Sequence, residues 1–209
     1  MIDSKEALRS LYPPAKERSV RKQLDHLDPH CLRFVALSPF VVLSSCSRDG
    51  KCDASPRGGE PGFVKVLDAK TLHIPDAPGN NRLDTLENLL RDPRIGLLFM
   101  VPGVDETLRI NGSARLRDEP AFADHFAQER QRPKVVIEVR VEEAYLHCAK
   151  AFMRSSLWDA ASWPRRDLLP SMNEMIHDHI GAEGALAESP AEMAERYRKQ
   201  LAEEQTPTR

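Results

Sequence analysis

Residues 134–147, "KVVIEVRVEEAYLH", constrain this chain more than any other stretch. Val135, Ile137, Val139 and Val141 alternate with Val136, Glu138, Arg140 and Glu142. Period-two alternation sends each set to its own side of an extended strand, so one face here is built to meet a core. Further strand patterns fall near 39–47, 51–56, 62–68, 71–75, 94–101 and 106–117, with Gly, Pro, Asn and Asp between them. Many short strands with turn signals between them favour a closed or nearly closed barrel over a βαβ sheet. The expected class is mainly β with helical decorations.

The decorations are placed by caps and spacing. Ser4 is positioned to cap a helix over 4–11. Pro14 suits the first turn of a second helix over 14–27, with Val20, Leu24 and Leu27 on one side. "CLRFVALS" predicts a further helical turn before the first strand. Leu83, Leu86 and Leu90 mark a helix over 82–91, with Asn81 as its N-cap, Asp84 three residues on, and Asp92-Pro93 as its stop. Helices are also expected at about 119–128 and after 149, and residues 181–190 are a linker to a charged final helix. With 209 residues, 41% of them hydrophobic, one sizeable core is expected. Residues 1–38 then form N-terminal helices, 39–158 the barrel, and 159–209 a helical extension packed on the same domain.

A formal charge of −2 provides no basic field for nucleic acid. The apolar runs "IGLLFMV" and "FVVL" are too short to span a bilayer, and the charged N-terminus is unlike a signal peptide. A cytoplasmic protein with no membrane partner is expected. Of the cysteines, Cys46 and Cys52 flank Asp49-Gly50, a two-residue hairpin signal. That turn sets Ser47 opposite Cys52 and Cys46 opposite Asp53, which puts the thiols on different faces and argues against a bridge. Reduced thiols are expected, and no metal site. "HDH" at 177–179 points its imidazoles apart on a helix. GxGxxG, P-loop, HExxH and GxSxG signatures are absent.

Three stretches carry candidate chemistry. In "PGNNRLD", Asn80, Asn81 and Arg82 stand at a helix entrance, where free N–H groups and an arginine suit a phosphate; the plainer alternative is a capped helix with a solvated arginine. In "SPRGGEPGFVKVLD", Arg57 and Lys65 either converge on one dianion or, for Lys65, snorkel from a sheet edge. In "ETLRINGSARL", Thr107, Arg109 and Asn111 share one strand face. They are either a solvated face or a row of donors for a polar heteroaromatic edge.

In order, "SPRGGEPGFVKVLDAKTLHIPDAPGNNRLDTLENLLRDPRIGLLFMVPGVDETLRINGSARL" resembles the flavin-binding split-barrel family of pyridoxamine 5′-phosphate oxidase, and most nearly its uncharacterised probable FMN-dependent branch. The resemblance covers roughly residues 35–158. It implies an FMN-binding split β-barrel that works as a homodimer, with each flavin at the subunit interface. It places Lys65 at the basic end of the first FMN-contacting strand, with Phe63 and Val64 supplying backbone amides. Pro75 and Asp76 fall where the next strand meets the flavin. Asn81 and Arg82 take the place of the phosphate-holding basic pair, one charge short, and Arg57 is the candidate replacement. Thr107 stands where the oxidases carry a ring-bonding glutamine. "HCAKAFMRSSLW" resembles the element after the last barrel strand, making Lys150, Arg154 and Trp158 candidates to reach a second subunit's flavin. The expected function is an FMN-dependent oxidoreductase on an unidentified small molecule, with NAD(P)H a candidate donor. The alternative is a flavin- or haem-binding carrier, sensor or stress protein without turnover. No catalytic side chain is assigned. The Arg/His segment with which the oxidases grip their substrate is not recognisable in residues 160–209.

Overall fold

The computed structural model describes residues 1–77, 79–129, 132–184 and 188–203. Seven strands carry the fold: β1 (Phe40–Cys46), β2 (Cys52–Gly58), β3 (Lys65–Asp68), β4 (Thr71–Pro75), β5 (Arg94–Met100), β6 (Thr107–Arg117) and β7 (Val136–His147). They form one antiparallel sheet in the order β2-β1-β5-β6-β7-β4-β3. Among the described residues β2 and β3 are its two edges. Apolar side chains of β1, β4, β5, β6 and β7 meet in a single buried cluster, so the sheet curls around one core.

Strand alternation explains that core. Val41, Leu43, Leu97, Phe99, Leu108, Ile110, Ile137 and Val139 are all at most 2% exposed, and each lies two residues from its like on the same strand. The long β6–β7 pair would drift out of phase over its length. A register shift at Asn111/Gly112 resets it, so that Gly112 faces Val141 while Asn111 faces Glu143. A Cβ at Gly112 would collide with the carbonyl oxygen of Arg140, which is why glycine stands at this bulge.

Helices α1 (Lys5–Ser10), α2 (Glu17–Arg21) and α3 (Pro29–Leu37) precede the sheet. Ser4 caps α1 as expected. The expected helix over 14–27 is corrected: α2 holds only its middle, Pro14 lies outside it, and Leu24 instead exchanges backbone hydrogen bonds with Ala144 of β7. A full second helix would have withdrawn that backbone from β7. α3 is longer than the turn expected, capped by Asp28 with Pro29 in its first turn, and it plants Cys31 and Val35 in the core.

Helix α4 (Asp84–Arg91) lies between β4 and β5 and buries Thr85, Leu86 and Leu89. Its start differs from the expectation. Asn81 and Leu83 both adopt left-handed backbone, with φ of 59° and 60°, and Leu83 is the N-cap residue, with no side-chain capping bond. Asn81 therefore caps nothing; the side chain of Asn80 accepts from the Arg82 N–H at 3.1 Å instead. α4 docks on the β1–β2 hairpin through Thr85 to Asp53 at 2.5 Å and Asn88 to Ser45 at 3.0 Å.

The hairpin register is also corrected. Gly50 sits at φ +83° after a turn at 47–50, giving a three-residue loop rather than a two-residue one. The extra residue slides the strands so that Cys46 opposes Cys52.

A short helix, α5 (Pro120–Ala123), and a 3-10 turn (Asp124–Phe126) cross the outside of β4 and β7. Helices α6 (Lys150–Ser155), α7 (Met172–His179) and α8 (Pro190–Glu203) follow the sheet, and none of them has a buried residue. The expected linker at 181–190 and the end of the last helix extend partly outside the described residues. Among the described residues no helix is long and apolar enough to cross a membrane.

Candidate functional site

The candidate residues divide between two places, because alternation sends them to different faces of the sheet. β2 pairs Arg57 with Val41 and Ser55 with Leu43, so both face the side on which the core lies. At this edge there is no further strand to cover them, and the end of β4 comes near. Arg57 is 19% exposed, and its guanidinium lies 3.8 Å from the carboxylate of Asp76. Its Nη1 donates to Ser55 Oγ at 2.5 Å and to the Pro56 carbonyl at 3.0 Å. Its Nε is buried with no hydrogen-bond partner. An unpaired buried guanidinium donor is costly, and an anion accepting from it would remove that cost. At 3.8 Å, Arg57 only partly offsets the burial of Asp76, and burial holds that carboxyl above its usual range.

Asn80, Asn81 and Arg82 lie on the chain between Asp76 and α4 and are exposed. Arg82 is 72% exposed and pairs with Asp84 at 2.8 Å, which holds its guanidinium more firmly protonated and lowers the Asp84 carboxyl. The first turn of α4 already carries Asp84 and Glu87, so its positive end is partly neutralised.

Other candidates have local partners. Phe63 and Val64 are core side chains, and the Phe63 amide donates to the Glu60 carbonyl at 2.9 Å. Pro75 ends β4, and the Asp76 amide donates to Val135. Lys65 turns to Glu129 and to the Gly62 carbonyl at 3.1 Å, near the ring of Phe126. It is drawn under the α5 segment, while Arg57 is drawn to Asp76, so each of these two cations has its own carboxylate partner.

The second place is the outer face of β1, β5 and β6. Thr107 and Arg109 lie out of phase with the core residues Leu108 and Ile110, and Arg109 pairs with Leu98, which pairs with Val42. These side chains floor a groove of about 480 Å³, walled by Phe152 of α6 and by His147 and Cys148. Its size and apolar lining with a few polar groups are those of a small-molecule site. Arg109 donates to the Tyr145 hydroxyl at 2.9 Å, and Asn111 to Glu143 at 2.9 Å. Trp158 donates to the Val104 carbonyl at 2.9 Å and stands edge-on to Phe152, which fixes α6 over the groove. Lys150 and Arg154 project from α6 as exposed cations.

Val42, Leu98 and Phe152 were not among the candidates, although strand alternation from Thr107 outward predicts the first two. Phe152 had no such signal, because a helix after the last strand can lie on either face.

A family model described as pyridoxamine 5′-phosphate oxidase matches residues 27–148. No curated protein matches the chain. Similar solved structures include a histidine-to-alanine variant of HupZ from Group A Streptococcus, at 16% identity and TM-score 0.48, covering 58% of this chain and 99% of that one. Another is a protein from Clostridium acetobutylicum related to general stress protein 26 of B. subtilis, at 12% identity and TM-score 0.43, with 56% and 85% covered. A third is the FAD binding protein of Mycobacterium smegmatis, at 12% identity and TM-score 0.43, with 59% and 97% covered.

Proposed function

Because the chain belongs to the pyridoxamine 5′-phosphate oxidase family, we propose that it binds flavin mononucleotide and acts as an oxidoreductase on a small molecule, as a homodimer with each flavin between subunits. The observation that carries this reading is the buried, unpartnered Nε of Arg57 at the corner where family resemblance puts the phosphate. Arg57, at 3.8 Å from Asp76, and the exposed Arg82, paired with Asp84, are the cations assigned to fork onto phosphate oxygens, each giving up its carboxylate partner to do so. Bound flavin supplies two-electron chemistry, and the chain's task is to hold it and tune it.

Division of the candidates between two sheet faces supports the dimer. One flavin reaches both sets when one subunit contributes the Arg57–Arg82 corner and another contributes the Thr107–Arg109 groove. Val42 and Leu98, half-buried in the single chain, form the apolar floor such pairing covers. Arg109 brings a cation to the ring's polar edge, which favours the negatively charged reduced flavin and raises its potential.

Protein purified with its cofactor should absorb near about 370 and 450 nm. Arg57→Ala and Arg82→Ala should each weaken flavin mononucleotide binding by on the order of 2 kcal/mol, roughly thirtyfold, through lost charge-assisted bonds. Unchanged retention in both variants would overturn the phosphate assignment. Bleaching by NADH or NADPH without oxygen supports turnover; colour that persists with every donor tried supports the carrier.

A further inference from the structure

The β1–β2 hairpin brings two thiols together at the end of β1, on the same face of that strand as Val42 and Ser44 of the groove. The Ser47 N–H donates to the Lys51 carbonyl at 2.9 Å, which makes Ser47 and Lys51 the hydrogen-bonded pair that closes the loop. Cys46 and Cys52 are the next pair outward. Antiparallel ladders alternate, so this second pair is the non-hydrogen-bonded kind, in which facing Cα atoms approach to about 4.5 Å and side chains lie closest. That spacing falls within the disulfide range. The sulfur atoms are 3.8 Å apart, close enough for side-chain rotation to join them without moving the strands. Both are free, Cys52 is exposed and Cys46 partly so, whereas Cys31 is buried in the core.

We propose that Cys46 and Cys52 form a redox-active dithiol that closes to an intramolecular disulfide by exchange with small disulfides of the glutathione class. The exposed Cys52 thiolate attacks one sulfur of the small disulfide, forming a mixed disulfide and releasing one small thiolate. Cys46 then attacks the Cys52 sulfur, the protein disulfide forms, and the second small thiolate leaves. Two protein thiols are oxidised by two electrons, one small disulfide is reduced to two thiols, and the two protein protons pass to them. The side-chain contact with Cys52, and then desolvation, pushes the Cys46 thiol up. Closing this bridge ties the edge strand β2, which carries Arg57, to β1 across the five residues 47–51.

The test equilibrates the full chain with glutathione buffers from reducing to oxidising, blocks free thiols with an alkylating reagent, and measures intact mass and tryptic peptides. Arg48 and Lys51 lie between the two cysteines, so trypsin separates them and a bridge appears as two joined peptides. The expected result is loss of two hydrogens' mass, with peptides 34–48 and 52–57 joined, in a buffer that leaves Cys31 and Cys148 open to alkylation under denaturing conditions. In Cys46→Ser a mixed disulfide should accumulate at Cys52, with no internal bridge. Two outcomes overturn the proposal: Cys46 and Cys52 no more readily oxidised than Cys148, or a bridge that joins Cys52 to another chain.

Discussion

Gly112 shows how much one missing side chain decides. It lets β6 and β7 pass the bulge with the Arg140 carbonyl where a Cβ would be. Gly112→Ala must shift the β7 backbone around Arg140, and overpacking of this kind costs about 1–3 kcal/mol. Urea unfolding should show a lower midpoint with unchanged slope; a midpoint equal to that of the parent chain would mean the ladder yields freely at this point. In the sequence Gly112 is one glycine inside a strand pattern, and only the identity of the residues opposite it reveals a bulge. Arg57 is similar. Its presence in a Gly/Pro-rich stretch was visible, but its unpaired Nε depends on Ser55, Pro56 and Asp76 surrounding it.

At the scale of elements, the α5 segment is held on the sheet by a stacked pair of histidines. His73 of β4 is 3% exposed and stacks on His125 with Nδ1 atoms 2.9 Å apart. Phe122 packs on the same ring, Glu138 of β7 lies 3.6 Å from its other nitrogen, and Arg117 of β6 lies over Phe122 and bonds Glu138. Lys65 is its register partner on β3. Burial first, and then His125, hold the His73 imidazole below its ordinary 6.5, with Glu138 opposing and Arg117 adding to the shift. Below that ordinary value the unfolded chain takes up a proton that the folded chain refuses, so stability present above it is lost as pH falls. Protection of the amides of residues 121–126, corrected for the slower intrinsic exchange at lower pH, should therefore fall between about pH 7 and 5, and His73→Phe should flatten the response. An identical profile in that variant would move the sensitivity elsewhere. The sequence suggested a helix at 119–128 but nothing of its docking, because His73 and His125 are 52 residues apart.

For the whole molecule, the proposed dimer makes a prediction that neither half-site makes alone. Arg57→Ala and Arg109→Ala should each lower flavin binding, but in a refolded mixture of the two, about a quarter of the sites regain both arginines if each site draws on two subunits of a closed pair. Flavin titration of the mixture against the separate variants reads this directly; no recovery would put the whole site in one chain. Leu98→Glu places a charge on the outer face without touching the core, and sedimentation should then show the half-mass species with at least about tenfold weaker flavin retention, because a buried unpaired carboxylate opposes association.

Period-two alternation and turn residues determined, from the sequence alone, that this chain is mainly β and nearly where each strand lies; these are local consequences of pleat geometry. The ordered motifs carried the family. The tertiary structure decided what depends on separation in space rather than along the chain: that Leu24 leaves its helix for β7, that Cys46 faces Cys52, that Lys65 pairs with Glu129 and Arg57 with Asp76, and that the candidate residues lie on two faces of one sheet. A shift of a single residue in a loop or bulge exchanges the faces of a strand, and its cause is often a contact with residues far away in sequence.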